Sequence, residues 1–162
     1  MVVNLKMLEN ILTSILIFLG LYAGLLIGWM AKEELKDGKK YLIILQKFIF
    51  ILTVFLFSFY FNWWIIGLVL LVILSIALFK LKKDYHRWLY YCLAILWFFS
   101  FHNADALLII PAMTFFYGIV TGSIFYYHAK KKKLFSLLID LLKEYYWFLI
   151  ISIMLFLIQN FL

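Results

Sequence analysis

Few residues in this chain could do chemistry, and they sit at the ends of apolar runs. His102 and Asp105 stand three apart in the stretch His102-Asn103-Ala104-Asp105, a spacing that brings two side chains onto one face of a helix. Glu9, at the matching end of another apolar run, offers a third group. An imidazole with two carboxylates could hold a small metal ion or relay a proton, and a membrane-embedded enzyme built on Glu9, His102 and Asp105 would act on lipid at the outer surface. A purely structural role competes with that chemistry. Asn103 has the side chain of a helix N-cap, and an acidic residue two positions later suits the positive end of the helix dipole. Two residues in one turn do not specify a metal, so the expectation is no catalytic residue, no metal and no cofactor.

Other constellations fail on residue type or spacing. His86 and His128 lie at ends of spans, whereas haem ligands must face a cavity inside a bundle. Thr121-Gly122-Ser123 lacks the GxSxG pattern of a serine nucleophile, and neither HExxH nor a P-loop occurs. Asp37-Gly38 has no acidic neighbour placed to clamp Mg²⁺ with it; Gly38 reads as the stop of a short helix from Lys32. Cys92 is the single cysteine, which excludes an intrachain disulfide, a CxxC pair and a cysteine metal cage.

What must position these residues follows from composition. Of 162 residues, 68% are apolar and 14% charged, against about 45–50% and about 25% in soluble domains. A protein of this size cannot cover its surface with so few polar side chains, so a water-soluble globule is excluded and the surrounding medium is lipid. The net charge of +7 is gathered into short clusters between apolar runs, which fits anionic head groups of a bilayer rather than nucleic acid.

A helix needs about 20 apolar residues to cross the roughly 30 Å hydrocarbon layer. The chain is therefore predicted to be all-α, a polytopic transmembrane helical bundle with six spans over residues 10–30, 41–61, 63–79, 88–101, 106–127 and 145–162. The fourth is the weakest, being shortest. Transmembrane strands would alternate apolar with polar residues, and Leu68 to Phe79 does not. The first span lacks a cleavage site and is expected to stay in the protein. Lysine-rich connections at 31–40, 80–87 and 130–133 are the first, third and fifth, so six crossings put all of them on one side. The positive-inside rule makes that side cytoplasmic and leaves both termini outside, in a multi-pass protein of the cell membrane with one membrane domain and no soluble one.

Helices in lipid associate through close packing, which small residues four apart permit. Gly20, Gly24 and Gly28 form a double GxxxG in the first span, and Gly118 and Gly122 form another in the fifth. Pro111, Thr114, Gly118, Thr121 and Gly122 share a small, weakly polar face expected to look into the bundle, with Phe115, Phe116, Ile119 and Ile124 pointing elsewhere. The third span is expected to face lipid. Residues 133–144 pattern as an amphipathic cytoplasmic helix, either lying in the interface or continuing into the last span, and Lys130, Lys131, Lys132 and Lys133 as a head-group contact. The resulting expectation is a non-catalytic transport or assembly component. Its partners would be the lipid bilayer, its anionic head groups, and other membrane subunits or copies of itself.

Overall fold

The computed structural model describes residues 2–80, 86–129 and 133–161. Within them the protein is all-helical, with α1 (Val2–Met30), α2 (Glu34–Tyr60), α3 (Trp64–Lys80), α4 (His86–Ser100), α5 (Ala106–His128) and α6 (Leu134–Phe161). Four stretches, Leu8–Met30, Glu34–Tyr60, Ala106–His128 and Leu134–Ile158, are long and apolar enough to cross a membrane. This is a helical membrane protein: such surfaces are stable only in lipid, where helices satisfy their own backbone groups.

The first turn departs from expectation. Leu35 N–H bonds the Ala31 carbonyl at 3.1 Å, so α2 starts at Glu34 and runs through Gly38 without a break. Gly38 is therefore not a helix stop. A glycine ends a helix by taking a positive φ, and none of the described glycines does. The turn from α2 to α3 does use that device, on an asparagine. Asn62 sits at φ 61°, a conformation that Asn tolerates better than most residues. Its N–H bonds the Phe59 carbonyl at 3.1 Å and the Trp63 N–H bonds Ser58 at 2.8 Å, the paired bonds of a Schellman motif.

α5 is the central helix, packed against α1, α2, α4 and α6. α1 and α2 lie astride it. Because α5 has neighbours on several sides, one inward face does not describe it. Ile124, three residues beyond Thr121, is buried in the core rather than turned away, and the Ile119 backbone meets Gly24 of α1. Phe116 is exposed as expected.

α3 and α4 are the short helices, with 17 and 15 residues, and opposite in character. α3 packs against α2 and turns most of its aliphatic side chains outward, where Gly67 lets it approach Ser58. α4 buries one face, with Tyr90, Leu93, Ala94 and Trp97 almost wholly covered, and turns Trp88, Ile95 and Phe99 outward. α6 buries Leu137, Leu141, Tyr145, Phe148, Ser152 and Phe156, a stripe at helical spacing. The amphipathic segment 133–144 thus belongs to one continuous helix with the last span, the second of its two expected arrangements.

Polar side chains in the bundle are mostly retired onto their own helices. Ser14, Thr53, Ser58, Thr114 and Thr121 each donate to a carbonyl four residues back, which removes a free hydroxyl from lipid.

Candidate functional site: two cavities on the central helix

The α1/α5 contact sets the frame of the site. A Cβ on Gly20 would stand 2.5 Å from the Phe115 carbonyl oxygen, and one on Gly24 2.6 Å from the Ile119 carbonyl carbon. From the other side, a Cβ on Gly122 would meet the Leu21 carbonyl and stand 2.8 Å from Leu25 N, and one on Gly118 would lie 3.2 Å from Leu21 N. These backbones touch, as only glycine allows. Gly28 is looser, its nearest neighbour being Tyr126 Cβ at 3.1 Å. The Ser123 hydroxyl lies 2.9 Å from the Gly24 carbonyl and 3.1 Å from that of Ile119, sharing its proton across the interface.

At the N-terminal end of α5 lies a cavity of about 810 Å³, lined among others by Glu9, Asn10, Trp97, His102, Pro111 and Phe115. It brings Glu9 and His102 into one space. Asp105 is not part of its lining, and among the described residues no three His, Cys, Asp or Glu side chains gather to hold a metal. Asn103 is a cap: its Oδ1 accepts the N–H groups of Asp105 at 3.0 Å and Ala106 at 3.2 Å. Its Nδ2 also donates to the Tyr60 carbonyl at 2.8 Å, tying the α4/α5 turn to the end of α2. The cavity wall is held by Trp97, whose indole N–H donates to Ser14 Oγ at 3.0 Å, while Ser14 donates to the Asn10 carbonyl at 2.9 Å.

At the C-terminal end of α5 a smaller cavity of about 190 Å³ is lined by Arg87, Thr121, Ile124, His128, Glu144 and Tyr145. An adjoining one of about 480 Å³ adds Asp140 and Lys143. Arg87 Nε pairs with Glu144 Oε1 at 3.1 Å, and Tyr91 donates to the Glu144 backbone carbonyl at 2.8 Å. On α5 the linings of the two cavities end at Phe116 and Thr121; five residues of helix at a rise of about 1.5 Å make that separation about 7.5 Å.

Tyrosines fill the gap. The Tyr90 hydroxyl reaches the carbonyl of Ile17 at 3.5 Å, a residue of the first cavity's wall. Its ring meets Tyr145, in the second cavity's wall, edge-on at 5.7 Å and stacks on Tyr117 at 6.0 Å. Tyr117 is fully buried. Beside this septum Gln46 Nε2 donates to Thr121 Oγ1 at 2.7 Å, and Thr121 Oγ1 in turn donates to the Tyr117 carbonyl at 2.7 Å. The Gln46 Oε1 atom and the Tyr117 hydroxyl are buried with no hydrogen-bond partner, a costly condition in a medium without water.

Of the residues singled out from sequence, Glu9, His102 and Pro111 line the first cavity, Thr121 lines the second, and Thr114 is buried between, bonded to the Ile110 carbonyl at 2.8 Å. Lys130, Lys131 and Lys132 lie outside the described residues, and Lys133 is exposed. Sequence reasoning missed Gln46, Tyr90, Tyr117 and the Ser14–Trp97 pair. Gln46 carried a signal, being a lone amide inside the apolar run from Tyr41 to Phe61; the tyrosines carried none, since aromatic residues are scattered through every span. Compared with family models, with curated proteins and with solved structures, the chain matches none.

Proposed function

We propose that this chain is a non-catalytic transport component of the cell membrane, passing small polar solutes along α5 between two cavities divided by the Tyr90–Tyr117 septum. The observation that carries this reading is the pair of cavities at opposite ends of one helix, their linings stopping about 7.5 Å apart by helix rise on Phe116 and Thr121. The unpartnered Tyr117 hydroxyl and Gln46 carbonyl beside the septum add to it, because a passing solute would give each the hydrogen bond it lacks. In the proposed topology all six helices cross, the lysine-rich connections face the cytoplasm and both termini lie outside. Lys130 to Lys133 then meet anionic head groups, and the short α4 crosses by thinning the bilayer locally.

Proteoliposomes holding only this chain provide the test, with stopped-flow light scattering after a glycerol or urea jump. Flux above that of empty vesicles is expected. Tyr117→Phe, which removes one oxygen and keeps the ring stack, should change that flux severalfold without altering the helical spectrum. Vesicles as tight as the empty ones to both solutes would refute the reading. So would flux indifferent to Tyr117→Phe.

A further inference from the structure

Which hydrogen bonds are already taken decides what the septum can bind. Thr121 Oγ1 donates its only proton to the Tyr117 carbonyl at 2.7 Å, so toward Gln46 it can only accept. That fixes the amide: Nε2 faces Thr121 at 2.7 Å, and the atom left without a partner is the oxygen, Oε1. Gln46 is 1% exposed, and through Thr121 it stands one hydrogen bond behind the wall of the second cavity. One turn further along α2, the Phe50 ring lies 6.2 Å from the ring of Tyr117, which precedes Thr121 by one turn on α5. Residues four apart share a helix face, so Gln46 and Phe50 of α2 meet Thr121 and Tyr117 of α5 as two rungs of one contact. The two orphaned polar atoms, Gln46 Oε1 and the Tyr117 hydroxyl, belong to the residues of one seam.

The chemistry of those two atoms limits what they accept. An amide oxygen only accepts a hydrogen bond, whereas a phenol both donates and accepts. A solute carrying N–H or O–H groups gives Oε1 the bond it lacks. One with acceptors alone answers Tyr117 and leaves Oε1 bare in a dry medium, which is costly. Ions fare worse. A cation leaving water needs several oxygens in place of its hydration shell, and the seam offers one free carbonyl oxygen and one hydroxyl. An anion needs donors, and Nε2 is already committed to Thr121. Gln46, Tyr90, Tyr117 and Thr121 are uncharged side chains, and the ionisable groups line the approaches instead: Glu9 and His102 in the first cavity, Arg87, His128 and Glu144 in the second. Lys47, next to Gln46 in sequence, carries its ammonium to the Leu78 carbonyl of α3. An ion in the seam would therefore meet no counter-charge at a depth where one is most needed.

We propose, resting on the transport reading above, that Gln46 selects what crosses the septum: uncharged solutes that donate hydrogen bonds, such as urea, primary amides and small polyols, pass, while ions and solutes that only accept do not. Proteoliposomes of the full chain test it by comparing urea with dimethyl sulfoxide, which matches urea in heavy-atom count but donates nothing. Urea should enter faster than into empty vesicles, dimethyl sulfoxide should not, and planar bilayers holding the chain should carry no KCl current above that of bare ones. Gln46→Met, similar in length and without the amide, should cut urea flux about fivefold, the worth of one hydrogen bond. Its helical spectrum and its unfolding midpoint in SDS should hold, since the variant removes a bond and an orphaned acceptor together. Dimethyl sulfoxide entering as readily as urea, a KCl current, or urea flux untouched by Gln46→Met would each overturn this selectivity while leaving Tyr117-dependent flux in place. Vesicles closed to urea and glycerol alike would instead overturn the transport reading and the selectivity with it. The wild-type comparisons decide the matter whether or not the variant folds.

Discussion

Replacing Gly24 by alanine adds one methyl group where the α1 and α5 backbones already touch. The new Cβ would stand 2.6 Å from the carbonyl carbon and 2.8 Å from the Cα of Ile119, and main-chain atoms cannot turn aside as a side-chain tip can. The helices must separate. Overpacking of this kind costs about 1–3 kcal/mol, and parting the helices also stretches the Ser123 bond to the Gly24 carbonyl, a type of contact worth about 0.6 kcal/mol on average in a membrane bundle. Against this stands the helix preference of alanine over glycine, about 1 kcal/mol. The balance is a net loss of about 1–2 kcal/mol, a five- to thirtyfold fall in the folding constant. Gly38→Ala is the internal control, since open space surrounds that position; it receives the helix gain alone and should stabilise by up to about 1 kcal/mol. Reversible unfolding in mixed micelles with increasing SDS, followed by circular dichroism, measures both. If Gly24→Ala and Gly38→Ala shift the midpoint in the same direction, the account of the α1/α5 contact is wrong. A cycle with Gly122→Ala extends the test: once the first methyl has parted the helices, the second should cost less than it does alone.

Two further outcomes follow from the same contacts. Asn103→Ala removes a cap and the bond to the Tyr60 carbonyl, and should cost about 1–2 kcal/mol in the same unfolding assay; Asn103→Asp, which keeps the accepting oxygen and loses the donor, should recover part of it. Trp97→Phe removes the indole bond to Ser14, an interaction of about 0.6–1.7 kcal/mol, and leaves space on the wall of the larger cavity. It should therefore destabilise more than Ser14→Ala, which breaks the same bond without removing volume from that wall, and the reverse order would argue against the hydrogen bond as described.

Much of the architecture was legible along the chain because lipid imposes a one-dimensional rule. A backbone crossing it must be helical, so length and apolarity alone place the long helices, and glycines four apart mark where two of them can touch. The same rule makes Asn103 readable as a cap, since a helix start in a polar turn needs an acceptor. Which surfaces meet was not legible. Gly38 reads as a helix stop in sequence, yet it lies inside α2 facing open space, because whether a helix continues through a glycine depends on what its neighbours do there. Ile124 resembled a lipid-facing residue until α5 acquired neighbours on several sides. Tyr90 and Tyr117 are two aromatic residues among many until α4 and α5 pack and stack them between two cavities, and Gln46 finds Thr121, 75 residues away, only once α2 lies along α5. Periodicity reports a helix's own faces; pairing between helices is decided by shape and hydrogen bonds that exist only after they are brought together.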